Sequence, residues 1–301
     1  MDQTKIQTWQ SAFMTKMHPL DRYLMNNEGQ WCVIGVPTAG WAKVAFPDMD
    51  EEAAYAALEE KIYSVCHVTE DNDPVAEWQE HDEVLIRHSR QLTDYQFKAL
   101  HFVSGLGTDL TVGLVKDHIW VGGGCVTPQQ VYFDPNMPTE EVFCMPEKNS
   151  TEGIVYASKP LSYNGKVIRD FWLRFENGRV TAHGAAEEED TLTQLLDFDE
   201  GSRHLGEVAL VPYDSPVSAA GVLFFETLYD ENAACHLALG RPYAENLKGG
   251  TQMTEDELKA CGANDSMQHE DFMFGTADLS VDGILEDGSS VPVFRNGNFV
   301  F

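Results

Sequence analysis

The chain has 301 residues and a mass of 33.6 kDa, enough for one large domain or two ordinary ones. Hydrophobic residues make up 43% of the chain, which excludes a disordered or fibrous protein. Its 20 basic and 49 acidic residues give a formal net charge of -29. The resulting negative electrostatic potential repels phosphate backbones and attracts cations, so nucleic acid is not an expected partner.

The six cysteines contain no Cys-x-x-Cys pair, and we expect them to be free thiols in a reducing compartment. The segment MDQTKIQTWQSAF has neither the basic nor the apolar region of a signal peptide. No apolar run in the sequence approaches the roughly 18 residues that a membrane span needs. We therefore predict a cytoplasmic protein that does not insert into a membrane.

Strand-like and helix-like segments alternate in the first hundred residues. The apolar run at residues 31–38 predicts a buried strand. A helix is predicted over residues 50–65, capped by Asp50, with one apolar stripe formed by Ala54, Leu58, Ile62 and Val65. A second helix begins at Asp73-Pro74, and its apolar face is predicted to hold Val75, Trp78, Leu85 and Leu92. These patterns predict an α/β domain over residues 1–100.

Strand-like patterns dominate after residue 100. Three Asn-Gly pairs, each flanked by strand-like residues, give the strongest short signal for hairpins: Asn164-Gly165, Asn177-Gly178 and Asn296-Gly297. We expect residues 101–301 to form a second domain with a mixed or antiparallel sheet and few helices. The predicted fold is therefore α/β followed by α+β.

Two segments place carboxylates beside apolar runs. NMPTEEVF contains Glu140 and Glu141, which suit either a bound cation or a solvated loop end. LGEVALVP places Glu207 at the start of a strand predicted to be buried on both faces. A carboxylate there needs a metal or a basic partner such as Arg203 or Lys166, because burying it unpaired costs free energy.

Two further segments contain histidines. LYDENAACHLALGRPY holds Asp230, Glu231, His236 and Tyr243, and its small and apolar residues predict a helix ending at Gly240 and Pro242. His236 suits either a metal site or a position in the core where its hydrogen bonds are satisfied. In HEDFMFG, His269 and Asp271 are two residues apart, so on a strand both side chains reach the same ion.

Together the four segments supply three carboxylates and two imidazoles, a donor set that suits a pair of divalent ions such as Zn, Co or Mn. Other chemistries fit less well, because the sequence lacks a G-x-S-x-G elbow, a phosphate-binding loop and an H-E-x-x-H motif. His67 and His118 lie outside the four segments, and we expect their replacement by alanine to be close to neutral.

The ordered segments NMPTEEVF, GTDLTVGL, LGEVALVP, TLYDENAACHLALGRPY and HEDFMFG closely resemble the M29 family of metallo-aminopeptidases, over residues 31–301. The resemblance implies two divalent metals bound by Glu141, Glu207, His236, His269 and Asp271. It also implies that Tyr243 lies by the metals. Family members carry an additional N-terminal segment ahead of the matched part, so the first domain is expected to be partial here.

The resemblance further implies a homodimer that hydrolyses peptides with a free N-terminus through a metal-bound water, with Zn, Co, Mn or Mg as the ions. We expect Glu140, or a loosely bound Glu141, to accept the proton of that water. Tyr243 is expected to donate a hydrogen bond to the oxyanion. Two alternatives stay open, a non-catalytic metal- or peptide-binding protein and a metal-independent glycosidase using Glu141 and Glu207.

Overall fold

The computed structural model describes the backbone of residues 3–301, and the side chains of all of these except residues 3, 4, 7, 10, 11, 14, 18, 21 and 22. Four helices occupy most of the first part: α1 Gln3–Met25, α2 Ala39–Ala45, α3 Glu51–Val65 and α4 Pro74–Tyr95. Four further helices follow: α5 Glu189–Leu196, α6 Pro216–Ala219, α7 Thr227–Asp230 and α8 Glu255–Ala260. Within residues 3–301, no helix is both long enough and apolar enough to cross a membrane.

Helices α3 and α4 begin where the sequence predicts. The Asp50 side chain accepts a hydrogen bond from the backbone N–H of Ala53, and the four predicted stripe residues are the buried residues of α3. Asp73 caps α4, with Pro74 in its first turn. Trp78, Leu85 and Leu92 are buried as predicted, but the placement of Val75 on the apolar face is wrong, since it is 67% exposed.

Two antiparallel sheets form the centre of the molecule. The larger has eight strands, in the order β12 Arg179–Gly184, β11 Trp172–Glu176, β8 Glu152–Tyr156, β3 Asp109–Gly113, β2 Ala99–Val103, β16 Ser280–Ile284, β17 Ser290–Arg295 and β18 Asn298–Phe299. The smaller has four strands, in the order β15 His269–Met273, β14 His236–Gly240, β13 Leu205–Leu210 and β7 Val142–Cys144. One hydrophobic core joins them, in which Phe102 of the large sheet packs edge-to-face on Phe274 beside the small one.

Three two-stranded pairs complete the described strands. β9 Leu161–Tyr163 pairs with β10 Lys166–Ile168, and β4 Cys125–Val126 pairs with β5 Tyr132–Phe133, both antiparallel. β1 Val33–Ile34 pairs in parallel with β6 Asn136–Met137. The three Asn-Gly pairs lie at the turns between β9 and β10, β11 and β12, and β17 and β18, so the hairpin predictions are confirmed.

The mixture of helices and sheets is confirmed, but the first hundred residues are more helical than predicted. The buried strand expected at residues 31–38 is wrong: only Val33 and Ile34 are extended, and each is 48% exposed. Gly35 and Pro37 interrupt the apolar run there. The boundary between residues 1–100 and 101–301 stays a prediction, and the core around α3 continues across it to Val217 and Tyr229.

The packing of α3 predicts the effect of a single truncation. Leu58 is fully buried between the helices and the segment that contains Tyr229, so Leu58→Ala leaves a cavity there. We expect it to lower the free energy of unfolding by about 2–5 kcal/mol in urea denaturation. Leu106→Ala is the control, because Leu106 is 48% exposed, and it should change stability by less than about 0.5 kcal/mol. Equal losses in the two variants would contradict this packing.

Candidate metal centre

The small sheet positions four of the five predicted ligands. In the strand register, Glu207 of β13 and Asp271 of β15 both lie opposite Ala238 of the central strand β14. His269 lies opposite Gly240, which is two residues further along that strand and on the same face. The two small residues leave room for the acidic and imidazole side chains to converge above β14.

His236 itself begins β14, so its prediction on a helix is wrong. The segment before it forms only α7 and a single tight turn over Glu231–Ala233, and the chain then enters the sheet. Every residue of β14 is buried, and a strand buried on both faces shows no apolar alternation by which its sequence could be told from a buried helix.

The five side chains form two overlapping groups that share one carboxylate. His236 Nε2 lies 2.9 Å from Glu141 Oε2 and 3.5 Å from Glu207 Oε1. His269 Nε2 lies 3.5 Å from Glu207 Oε2 and 3.4 Å from Asp271 Oδ1. Each oxygen of Glu207 therefore faces a different imidazole, which is the arrangement expected of a carboxylate that bridges two ions.

Backbone contacts orient both imidazoles toward this centre. His236 Nδ1 donates a hydrogen bond to Ala234 O at 3.2 Å, and His269 Nδ1 donates to Arg241 O at 2.6 Å. Because Nδ1 carries the proton in each neutral ring, Nε2 is left with its lone pair directed at the carboxylates. Such outer contacts are typical of histidines that bind metals.

The donor atoms do not satisfy one another by hydrogen bonds, and divalent cations would satisfy them better. Glu141 Oε2 and Asp271 Oδ1 are buried and have no hydrogen-bond partner, although each lies close to an imidazole nitrogen. Buried carboxylate oxygens without partners are costly, and a cation between the groups would satisfy them. Carboxylate oxygen and imidazole nitrogen suit Zn, Co or Mn.

Burial and mutual proximity perturb the ionisation of these groups. The pKa of Glu207 is raised to about 7, because burial and the neighbouring Glu141 outweigh the lowering effect of His236. Burial opposes the charge on His269, but Asp271 and Glu207 raise the pKa of its imidazole to about 10. Without a metal the histidines thus hold protons that a cation would have to displace.

The ligands line one cavity of about 240 Å³ together with Tyr243 and Glu231. The Tyr243 hydroxyl lies 3.4 Å from His269 Nε2, and its ring packs edge-to-face on Phe143. Glu231 received no role from the sequence. Burial raises the pKa of its carboxyl well above the usual value, and Asp271 and Glu141 raise it further. The adjacent Asp230 accepts hydrogen bonds from the N–H groups of Phe224 and Glu226.

Glu140 does not line this cavity. Its Oε1 accepts a hydrogen bond from His67 Nε2 at 2.8 Å, and its other oxygen lies 3.8 Å from His81 Nε2. Its backbone N–H donates to Asn232 Oδ1 at 2.6 Å. The expectation that Glu140 accepts a proton from the attacking water is thus unsupported by the geometry, because adjacent residues of an extended segment point to opposite sides.

His67 is consequently a poor choice as a neutral position. It follows α3 with a φ of +56°, and Asn72 Nδ2 donates a hydrogen bond to its carbonyl oxygen. His81 of α4 donates to Thr139 O at 2.7 Å, directly before Glu140. These two histidines fasten the N-terminal helices to the segment that carries Glu141. His118 is also buried, with Nδ1 donating to Val115 O at 3.0 Å, so its replacement is not expected to be neutral either.

Comparisons with known proteins match this chain along nearly its whole length. The model of the thermophilic metalloprotease family M29 matches residues 1–299. Aminopeptidase AmpS of Bacillus subtilis is 46% identical over 301 residues, covering 100% of this chain and 73% of its own length. Aminopeptidase 2 of Geobacillus stearothermophilus is 46% identical, covering 92% of this chain and 67% of its own length.

A solved structure shows the same fold. Wild-type AmpT from Thermus thermophilus superposes with a TM-score of 0.87 at 40% sequence identity, covering 94% of this chain and 68% of that one. The resemblance inferred from the five ordered motifs is confirmed by the family match and by these relatives. The chain belongs to the M29 family of thermophilic metalloproteases.

Proposed function

We propose that this metalloprotease is an aminopeptidase that removes the N-terminal residue of peptides, with two divalent ions held by Glu141, Glu207, His236, His269 and Asp271. The relatives that match it are named aminopeptidases. The observation that carries the two-ion proposal is the position of Glu207, whose two oxygens face two different imidazoles. Glu141 would complete one ion's ligands and Asp271 the other's.

The cavity supplies the groups that peptide hydrolysis needs. Bound ions would polarise the scissile carbonyl and lower the pKa of a water beside it. The Tyr243 hydroxyl, which faces the same cavity as the ligands, donates a hydrogen bond to the carbonyl oxygen as negative charge develops on it. The surrounding carboxylates favour a substrate with a cationic α-amine, which is the feature that distinguishes an aminopeptidase from an endopeptidase.

Glu231 takes the proton-transfer role for which the sequence suggested Glu140. Its carboxyl lines the cavity near Asp271, and it belongs to neither group of candidate ligands. A carboxyl in that position is within reach of a water proton and of the leaving amine. Glu140 acts as a positioning residue instead, because its hydrogen bonds fix the backbone next to Glu141.

Two alternatives are less favoured. A non-catalytic metal-binding protein would not explain why the chain matches aminopeptidases over 100% of its length. A glycosidase using Glu141 and Glu207 would need a sugar bond between the two carboxylates, but His236 Nε2 lies between them at 2.9 and 3.5 Å. The homodimer, the cytoplasmic location and the identity of the ions stay predictions.

The α-amine requirement tests the proposed specificity. We expect N-acetylation of a leucyl peptide to lower kcat/KM by at least ten- to a hundredfold, because it removes a charge-assisted contact in a buried site. Hydrolysis of the free and acetylated forms of the same peptide should be followed by mass spectrometry. Equal rates, or products from internal cleavage, would show that the protein is not an aminopeptidase. The protein would still be a metalloprotease.

Replacement of the paired residues on β15 tests the ligand assignment. His269→Ala and Asp271→Ala should each lose metal, measured by elemental analysis, and most of the activity, since both face the shared Glu207 region. The matched control is His101→Ala, which removes a histidine paired with Asp109 at 2.8 Å in an exposed part of the large sheet. A β15 variant that keeps the metal content and rate of the control would show that the assignment is wrong.

A further inference from the structure

The cavity has a second acidic region besides the metal ligands. Its lining includes Cys125, Asn27 and Glu245, and two more carboxyl groups, Asp82 and Asp134, lie around Cys125. We call the surroundings of Cys125 formed by Glu245, Asp82 and Asp134 the acidic end of the cavity. No hydrogen bond or ion pair in the described part of the chain connects these three carboxyls with the metal ligands.

Glu245 is the member of this group that faces the cavity directly. Its Oε2 accepts a hydrogen bond from Asn27 Nδ2 at 2.9 Å. It lies on a tight turn, Ala244–Asn246, which is fastened by the buried Asn246 side chain. Asn246 Nδ2 donates to Ile119 O at 3.2 Å and to Phe143 O at 3.1 Å, so the Glu245 carboxyl is held on a rigid support.

Asp82 and Asp134 add negative charge behind the cavity wall. Asp82 is 4% exposed and accepts a hydrogen bond from the Tyr132 hydroxyl at 2.5 Å. Its second oxygen and Oδ1 of Asp134 are buried without a hydrogen-bond partner. The pKa of the Cys125 thiol is raised to about 12, mainly by burial and also by the carboxylates of Glu245, Asp134 and Asp82. The acidic end is thus a region of negative potential.

The protein itself does not neutralise this region with a basic side chain. Among the described residues, the contacts of Glu245, Asp82 and Asp134 include an amide and a hydroxyl but no lysine or arginine. Burial raises the pKa of Glu245 to about 7, which shows the cost of its charge in this site. A cation that enters the cavity would gain more from such carboxylates than from solvated ones.

The rest of the lining suits the aliphatic part of a basic side chain. Trp31, Val121 and Phe143 contribute apolar surface to the same cavity. The cavity of about 240 Å³ is smaller than the roughly 300–1,000 Å³ of drug-sized ligand pockets, so it accommodates little more than one residue. Lysine and arginine pack their methylene groups on apolar surface while their charged ends reach a polar partner.

We propose that the acidic end is the subsite for the side chain of the substrate's first residue, and that Glu245 selects arginine or lysine there. This inference rests on the proposed function, because the α-amine and the scissile carbonyl are assigned to the metal ligands. The guanidinium or ammonium group reaches Glu245, and Asp82 and Asp134 contribute through their charge. Glu245 is a specificity residue and takes no part in bond cleavage.

The test compares L-arginine with L-citrulline, which has nearly the same shape but no charge. Both are amino acids of the kind that the reaction releases, so calorimetry on the metal-loaded protein measures the subsite without turnover. We expect arginine to bind about ten- to a hundredfold more tightly than citrulline. Glu245→Gln should bring this ratio close to one. Glu286→Gln, which removes an exposed carboxylate and the same formal charge, should keep it.

Each outcome decides the proposal. Equal binding of the two amino acids to the unmodified protein would overturn it. A Glu245→Gln variant that weakens the binding of arginine and of citrulline by the same factor, so that their ratio is unchanged, would also overturn it, since Glu245 would then contact the α-amine. If thermal unfolding shows that the Glu245→Gln variant is not folded, Asp134→Asn is used in its place. Asp134→Asn should lower the ratio of arginine affinity to citrulline affinity several-fold. Failure of the proposed function would appear separately, as a lack of leucyl-peptide hydrolysis by the unmodified protein.

Discussion

The carboxyl groups of Glu141, Glu207, Glu231 and Asp271 converge in one part of the cavity, and in the described part of the chain their ion pairs are made only with His236 and His269. Clustered carboxylates cost free energy in a poorly hydrated interior, because their negative charges repel one another and each carboxylate has lost its hydration. Protons or cations must offset the charge. Protons do so in the metal-free protein, as the raised pKa values of Glu207 and His269 indicate, and divalent ions would replace them. The fold around the cavity can be understood as the frame that holds these groups together.

That frame has two parts. The small sheet fixes Glu207, His236, His269 and Asp271 on adjacent strands, with Ala238 and Gly240 leaving space between them. The N-terminal helices hold the segment that carries Glu141, through hydrogen bonds from His67 and His81 to Glu140 and Thr139. The parallel pairing of Val33–Ile34 with Asn136–Met137 supports the same segment from another side. The first hundred residues therefore contribute to the metal centre although none of the five ligands lies in them.

The sequence predicted the local features that depend on near neighbours. Caps and stripes located α3 and α4, and the two-residue spacing of His269 and Asp271 matches their strand. Features set by distant packing were missed. The direction of the Glu140 side chain depends on His67 and His81, which lie far from it in the sequence. The residues next to Glu140 in the sequence do not distinguish it from Glu141. His236 was placed on a helix because small and apolar residues suit either a buried strand or a buried helix. The role proposed for Glu231 depends on its position in the cavity near Asp271, which no local pattern shows.

The central claim is that two cations at the shared Glu207 carry the chemistry. Its most direct test is to titrate metal-free protein with Co²⁺ and to follow bound metal and leucyl-peptide hydrolysis in the same samples. We expect two bound ions per chain, with activity appearing only as the second site fills. Full activity after one ion, or turnover by protein shown to be free of metal, would contradict it.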